Sequence, residues 1–278
     1  MRMPQLMFSK LIRAVVEFEL LDEGDGIVIG VSGGKDSLFL TYAMAELRSR
    51  VKKNFWLRAL TIDPMFDKSF DIDRIKEHCS ALGIGHEIRQ VDIKGAILSS
   101  KRSPCFTCSY FRRAAVNSYA LEIGANKVAY AHHHDDAVET FLMSLLSSGQ
   151  LTTFLPKTYL DRTGLTVIRP LSYIREHEIE KFMVDNGINA VKSPCPIDGT
   201  TNRQSIKELI MRLEEDYPDV FAHLASGMRR SALGDLWGAP KTRLEMREEY
   251  FATIAHHAVK GSARSSTLNR RSPTLNSR

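Results

Sequence analysis

The stretch that most constrains this chain is Gly30-Val31-Ser32-Gly33-Gly34-Lys35-Asp36-Ser37. An apolar run, Gly26-Ile27-Val28-Ile29, leads into it, and Leu38 to Met44 leads out with a helical pattern. The succession predicts a strand, a tight glycine turn and a helix. Adjacent glycines let the backbone turn sharply and come close to a ligand. A helix start presents free N–H groups and the positive end of its dipole, which suits phosphate. Hydrogen bonds to a charged group contribute about 1.5–3 kcal/mol each, so a few converging amides can hold a pyrophosphate. Ser32 and Ser37 add hydroxyl donors, Lys35 adds a charge, and Asp36 is a candidate magnesium ligand. The turn lacks the longer glycine loop ending Gly-Lys-Ser/Thr that nucleoside triphosphatases use. It also lacks the dinucleotide glycine pattern.

With 278 residues, 43% of them hydrophobic, the chain can form one large domain with appendages. No apolar run approaches a membrane span. Arg13, Glu17 and Glu19 interrupt the apolar N-terminal stretch, which excludes a signal peptide and leads us to expect a cytoplasmic protein. Thiols stay reduced there, so the four cysteines read as metal, cluster or redox residues rather than disulfides. The formal net charge is +5. From Phe251 onward the chain carries Lys260, Arg264, Arg270, Arg271 and Arg278 and no acid, so residues 1–250 are formally neutral. The basic pI therefore belongs to the tail and says little about a nucleic-acid face on the body.

Apolar positions at helical spacing predict a helix over residues 5–21, packed on the main domain. Arg48, Arg50, Lys52 and Lys53 close the helix after the glycine turn and suit its dipole. Trp56 to Ile62 reads as a second strand ending in Asp63-Pro64. In open α/β sheets, ligands sit beyond strand C-termini, so Asp63 is expected to bond a ribose or to cap a turn. Residues 71–82 read as an amphipathic helix whose Cys79 is a small buried residue without a role. His86 to Val91 is a third strand, and Asp92 to Pro104 reads as irregular. Cys105-Phe106-Thr107-Cys108 then opens a helix that carries Arg112 and Arg113. Such a pair grips a cluster, zinc or a redox partner from one turn. A fourth strand, Lys127 to Ala131, runs into His132-His133-His134-Asp135-Asp136. Consecutive residues at a bend point different ways, so some of these are expected to meet nucleotide or magnesium while others hold the bend. His133 and Asp135 are the nucleotide candidates. Residues 148–164 read as a loop with room for a short helix. Leu165 to Leu171 is a fifth strand carrying Arg169, a phosphate candidate. A helix from Arg175 to Asn186 closes at Gly187. Another cysteine turn, Ser193 to Gly199, precedes helices over Thr201–Glu215 and 219–231. Residues 236–250 read as a charged helix, and Gly261 to Arg278 as disordered. Alternating elements predict an α/β fold with a parallel sheet of about five strands and helices on both faces.

Ser-Gly-Gly-Lys-Asp-Ser after a strand resembles the PP-loop of the ATP pyrophosphatases, which implies an adenine nucleotide alpha hydrolase-like fold. Together with the cysteines the chain resembles the tRNA 2-thiocytidine synthetase family. The resemblance rests on five stretches in order: Ser32 to Ser37; Pro104-Cys105 to Cys108 with Arg112-Arg113; His132-His133 with Asp135-Asp136 and Thr140; Val167 to Leu171 with Tyr173 and Glu176; and Pro194-Cys195 followed by Asn202-Arg203-Gln204. It implies ATP and Mg²⁺ at Ser32, Gly33, Gly34, Lys35, Asp36 and Ser37. It implies a [4Fe–4S] cluster on Cys105, Cys108 and Cys195, with the fourth iron open. It further implies adenylation of the C2 oxygen of a tRNA cytidine at position 32, and sulfur from a donor such as a cysteine desulfurase. The family suggests a homodimer. Many members carry a second Cys-x-x-Cys where this chain reads Cys195-Pro196-Ile197-Asp198, which leads us to expect Asp198 near the open iron. The opposing readings are tetrahedral zinc on Cys105, Cys108, Cys195 and Asp198, with ligase chemistry of the lysidine-synthetase type, or thiolation of another tRNA position. Arg112, Arg113, Arg203, Arg229 and Arg230 are candidates for an RNA face. The expected organisation is an N-terminal helix over 1–24, a PP-loop domain over 25–235, and a charged helix with a basic tail over 236–278.

Overall fold

The computed structural model describes residues 2–66, 70–192, 195, 202–229 and 241–254. Asp198, Arg230 and the tail beyond residue 254 lie outside these, as does the expected boundary at 235.

The apolar strand before the glycine turn forms β1 (Asp25–Gly30), and it lies in the middle of a six-stranded sheet. The order is β3-β2-β1-β4-β6-β5, with β2 Phe55–Asp63, β3 Gly85–Gln90, β4 Lys127–Ala129, β5 Lys157–Leu160 and β6 Leu165–Ile168. β1 pairs parallel with β2 on one side (Ile29 opposite Ala59) and with β4 on the other (Ile29 opposite Ala129). Only β5 is antiparallel, paired with β6 through a short turn. This edge strand corrects the loop expected over 148–164. Lys157-Thr158-Tyr159-Leu160 is too polar to stand out by alternation, and it forms because β6 offers it an edge.

Side-chain alternation along β1 sorts the helices into two layers. Ile27 and Ile29 point into a core shared with α1 (Gln5–Glu17), α2 (Lys35–Arg50) and α7 (Glu176–Asp185). Val28 points the other way, to Val116, Tyr119 and Ala120 of α5 (Pro104–Glu122). α1 buries Phe8, Leu11, Ile12 and Val15 in the first layer and so shares the core of the sheet. Between β2 and β3 runs α3 (Ile72–Ala81), which buries Cys79. The stretch from Asp92, expected to be irregular, holds a short helix, α4 (Ile93–Ser99). Asp92 caps it by accepting the N–H of Gly95, and Ile93 is fully buried beneath it. The chain continues through α6 (His134–Ser148), α8 (Asn202–Asp216), α9 (Val220–Gly227) and α10 (Arg243–Thr253).

The basic residues at the end of α2 serve the fold. Arg50 pairs with Glu46 and lies over the Phe8 ring, while Lys52 and Lys53 donate to the carbonyls of Phe251 and Leu21. No helix among the described residues is long and apolar enough to cross a membrane.

Strand order reverses direction at β1, because β2 lies to one side and β4 to the other. A crevice opens at such a switch point beyond the strand C-termini. The glycine turn after β1 and the histidine bend after β4 both end there.

Candidate nucleotide and cysteine site

Two glycines shape the turn. Gly33 has φ +85°, and a Cβ there would meet Ile75 Cδ1 at 2.9 Å and Val191 Cβ at 3.1 Å. Gly30 leaves room for the Tyr130 ring, which a Cβ would meet at 3.1 Å. Gly34 is the N-cap of α2 and brings no side chain to cover the helix start. Ser37 Oγ donates to the Gly34 carbonyl at 2.9 Å and accepts from the Ser32 N–H at 3.2 Å, which fixes the cradle from inside.

The turn forms one wall of a pocket of about 260 Å³. Leu60 and Ile62 of β2, Arg112, Arg113 and Val116 of α5, and Tyr130, Ala131, His132 and Asp136 after β4 complete it. α5 is the helix that opens with Cys105 and Cys108, one to two turns before the arginines that line this pocket. Arg112 and Arg113, expected on an RNA face, line this pocket. Tyr130, His132 and Asp136 are residues that sequence reasoning did not single out as the nucleotide side of the bend. Their position directly after a strand at the switch point is the signal that points to them.

Asp36 is half-buried beside Lys35. Its Oδ1 accepts no hydrogen bond, although Lys35 Nζ is 3.3 Å away. Burial raises its pKa, against the lowering influence of Lys35 and His133. An orphaned carboxylate oxygen in a phosphate pocket fits a hard divalent cation. Lys35 itself reaches Glu176 Oε1 at 2.7 Å, and Lys207 holds the other oxygen of the same carboxylate. Burial would raise the Glu176 pKa, but the hydrogen bonds from Lys207 and Lys35 hold it down at about 2.

The histidine bend divides its labour. His132 lines the pocket, packs on Phe154 and leaves Nδ1 unpartnered, and burial lowers its pKa to about 4. His133 caps α6: Nδ1 accepts the Asp136 N–H at 3.3 Å, the Asp136 carboxylate accepts the His133 N–H, and Nε2 stands 3.9 Å from Asp36. It therefore stands behind the Asp36 carboxylate, outside the pocket lining. His134 packs edge-on against Tyr173 and Phe221. Asp135, expected at the nucleotide, is turned away and bound by Arg175 Nε at 2.9 Å and the Glu176 N–H at 2.7 Å. Asp136 lines the pocket in its place, because the helical turn that follows rotates one carboxylate inward and its neighbour outward.

Three further expectations fall elsewhere. Asp63 closes its own turn, accepting from the Met65 N–H and from Gln90 Nε2. Arg169 donates to the Leu155 carbonyl and Thr158 Oγ1, lies 5.0 Å from the Phe154 centroid, and lines a neighbouring groove. Arg203 pairs with Asp136 and the buried Glu139, and Arg229 with Glu17 at 2.7 Å, so both hold helices together.

Cys105 is exposed, whereas Cys108 and Cys195 are half-buried. Burial pushes the Cys108 thiol up, Arg112 pulls it back, and Cys195 and Cys105 are close enough to push it further up. Three thiolates would therefore repel one another, and a cationic centre between them would relieve that. Among the described residues no three His, Cys, Asp or Glu side chains are gathered at the spacing of a single metal ion. Three cysteine thiols are the donor type that holds an iron–sulfur cluster, whose ligands grip separate irons. The segment bearing Cys195 is tied to the glycine turn by the Val191 N–H, which donates to the Gly33 carbonyl at 2.9 Å.

A family model described as a PP-loop domain matches residues 6–214. The tRNA-cytidine(32) 2-sulfurtransferase of Syntrophotalea carbinolica is 35% identical over 249 residues, covering 87% of this chain and 93% of that one. The enzyme of the same name from Geobacter metallireducens is 37% identical over 214 residues, covering 75% and 82%. Among solved structures, the U34-tRNA thiolase NcsA from Methanococcus maripaludis with its [4Fe-4S] cluster superposes with a TM-score of 0.65 at 23% identity, over 79% of this chain and 76% of that one. This last likeness is one of fold.

Proposed function

The chain belongs to the PP-loop family and, within it, to the tRNA-cytidine(32) 2-sulfurtransferases, and from that premise we propose how its residues carry out the reaction. It is an ATP-dependent tRNA sulfurtransferase that replaces the C2 oxygen of a tRNA cytidine by sulfur, with cleavage of ATP to AMP and pyrophosphate. The observation that carries the reading is one helix: α5 opens with Cys105 and Cys108 and, one to two turns further on, lines the glycine-turn pocket with Arg112, Arg113 and Val116.

A cytosine carbonyl oxygen is a poor leaving group, and transfer of AMP onto it makes it a good one. The amides of the Ser32–Asp36 turn and the start of α2 hold the phosphates. Asp36 would hold Mg²⁺ through its unpartnered oxygen, with His133 behind it, and the ion would offset phosphate charge there. Arg112 and Arg113 face the phosphates from α5 and offset the charge that develops as pyrophosphate leaves. Cys105, Cys108 and Cys195 would hold a [4Fe–4S] cluster, which would supply sulfur to the activated carbon, three protein ligands leaving one iron open. Orienting that sulfur in the crevice replaces a dilute encounter with a local one. A lysidine-type ligase acting on the same activated base has no use for three cysteines against the nucleotide pocket. The sulfur comes from a donor such as a cysteine desulfurase, the enzyme acts in the cytoplasm where its tRNA is, and two copies pair as a homodimer.

The test is made on protein purified without oxygen. Iron, zinc and the visible spectrum are measured for the native chain and for Cys195→Ala, and tRNA treated with ATP and a sulfide source is digested for mass spectrometry. Iron lost in the variant, together with ATP-dependent 2-thiocytidine at position 32, is the expected result. Zinc without colour, or a lysine adduct on the cytidine, overturns the reading.

A further inference from the structure

A second groove opens beside the nucleotide pocket, with a volume of about 570 Å³. One wall is a single face of α5, where Tyr110, Arg113, Asn117 and Leu121 follow at spacings of three and four. The other wall is the β5–β6 hairpin, through Thr158, Leu160, Val167 and Arg169. Tyr130 and Arg113 line both cavities, so the groove and the nucleotide pocket are continuous.

Three buried polar atoms of the groove's lining residues have no hydrogen-bond partner: Asn117 Oδ1, Tyr130 Oη and Arg169 Nε. Buried polar atoms in folded proteins are paired almost without exception, so three in one groove between apolar walls mark a place for a ligand with polar edges and flat faces. Arg113 and Arg169 give it the charge that suits a nucleic-acid backbone. Tyr110, 56% exposed, stands beside it as a stacking surface for an unpaired base.

We propose that this groove receives the target pyrimidine of the tRNA and that Asn117 reads its 4-amino group. The proposal rests on the sulfur-transfer reading above and deepens it. Asn117 lies one helical turn, about 6 Å, beyond Arg113 along α5. Arg113 borders the nucleotide pocket and Asn117 does not. On a cytosine ring the C2 oxygen and the 4-amine flank N3 at the two ends of one edge. An amine donating to Asn117 Oδ1 therefore leaves the C2 oxygen along the same edge, displaced toward Arg113 and the glycine turn, where it must meet the α-phosphate. Arg169, which does not reach the ATP pocket, has its place here on the flanking backbone.

The experiment compares the cluster-loaded wild type and Asn117→Ala on two tRNA transcripts with ATP and a sulfide source. One carries cytosine at position 32, and the other carries 2-pyrimidinone there, which lacks only the 4-amine. Asn117→Ala lowers kcat/KM on cytosine about tenfold, the cost of one lost hydrogen bond, and leaves it nearly unchanged on pyrimidinone. Intrinsic reactivity of the two bases cancels in this comparison. ATP affinity measured on the same samples stays within about twofold of wild type, which reports that the variant is folded. Equal loss on both bases, or no loss on cytosine, overturns the assignment of Asn117 while the sulfur-transfer reading stands. No 2-thiocytidine from the wild type on the cytosine transcript overturns that reading and the groove assignment together.

Discussion

Gly33 sits where the backbone needs a positive φ and where Ile75 and Val191 leave no room for a side chain. Gly33→Ala is expected to cost about 1–3 kcal/mol of stability, since strain and collision add, and to weaken ATP binding at least tenfold. Chemical denaturation and calorimetric titration with ATP check the two effects. Asp36 differs in kind, because its role is charge. Asp36→Asn keeps the shape and removes the seat for the cation, so the magnesium concentration for half-maximal pyrophosphate release rises by an order of magnitude or more. The histidines of the bend are legible in stability. Burial lowers the His134 pKa to about 4, with Asp135 opposing and Arg175, Lys10 and Arg229 assisting. The unfolded chain binds that proton from about pH 6.5 downward and the folded chain only from about 4. Stability therefore falls as pH drops through that window. His134→Phe is expected to flatten the fall by up to about 1.4 kcal/mol per pH unit, measured by urea unfolding between pH 7 and 4.

At the scale of elements, α5 does the joining. Its N-terminal end carries two cysteines, its third turn carries the arginines of the nucleotide pocket, and its fourth carries Asn117. The opposite side of the crevice is held by ion pairs between helices. Glu176 at the start of α7 binds Lys35 of α2 and Lys207 of α8. Its carboxyl is held near pH 2 against a burial that would raise it, so the stabilisation is present above the ordinary carboxylate range and is lost as pH falls toward 2. Glu176→Gln leaves two lysines facing each other and is expected to destabilise by roughly 1–3 kcal/mol at neutral pH, the effect shrinking below the ordinary carboxylate range and vanishing only below about pH 2. Arg203 of α8 makes a comparable tie, with the Glu139 side chain only 7% exposed beneath it. Arg203→Ala is expected to cost about 3–5 kcal/mol, because a buried carboxylate is left alone, while tRNA affinity per folded molecule stays the same. Filter binding at matched folded fractions checks that second half.

For the whole molecule, charge and fold are separable. The body to residue 250 is formally neutral and the net +5 resides beyond it. Removing residues 255–278 is expected to reduce the slope of tRNA affinity against salt by about 0.7–0.9 for each phosphate that the tail neutralises, and to leave ATP cleavage unchanged. An unaltered slope places the RNA-binding surface on the body alone. The glycine turn, its flanking strand and helix, and the pair Cys105 and Cys108 are local patterns, and local patterns are legible because spacing along the chain equals spacing in the element. So are the inner parallel strands β1 and β2, each with its own apolar run. The polar edge strand β5 and helix α4 were not: β5 has no apolar alternation and forms by pairing with β6 across a short turn, and α4 is a seven-residue helix that packs on α5. The same holds inside the site. Sequence alone determined that phosphate chemistry and three cysteines belong to one α/β domain. Only the tertiary structure decided that Asp136 and not Asp135 faces the pocket, that Arg112 and Arg113 line the same pocket as the glycine turn, and that Arg169 lines a second groove. Which way a side chain faces at a strand end is fixed by the packing of helices far along the chain, and no residue carries that information by itself.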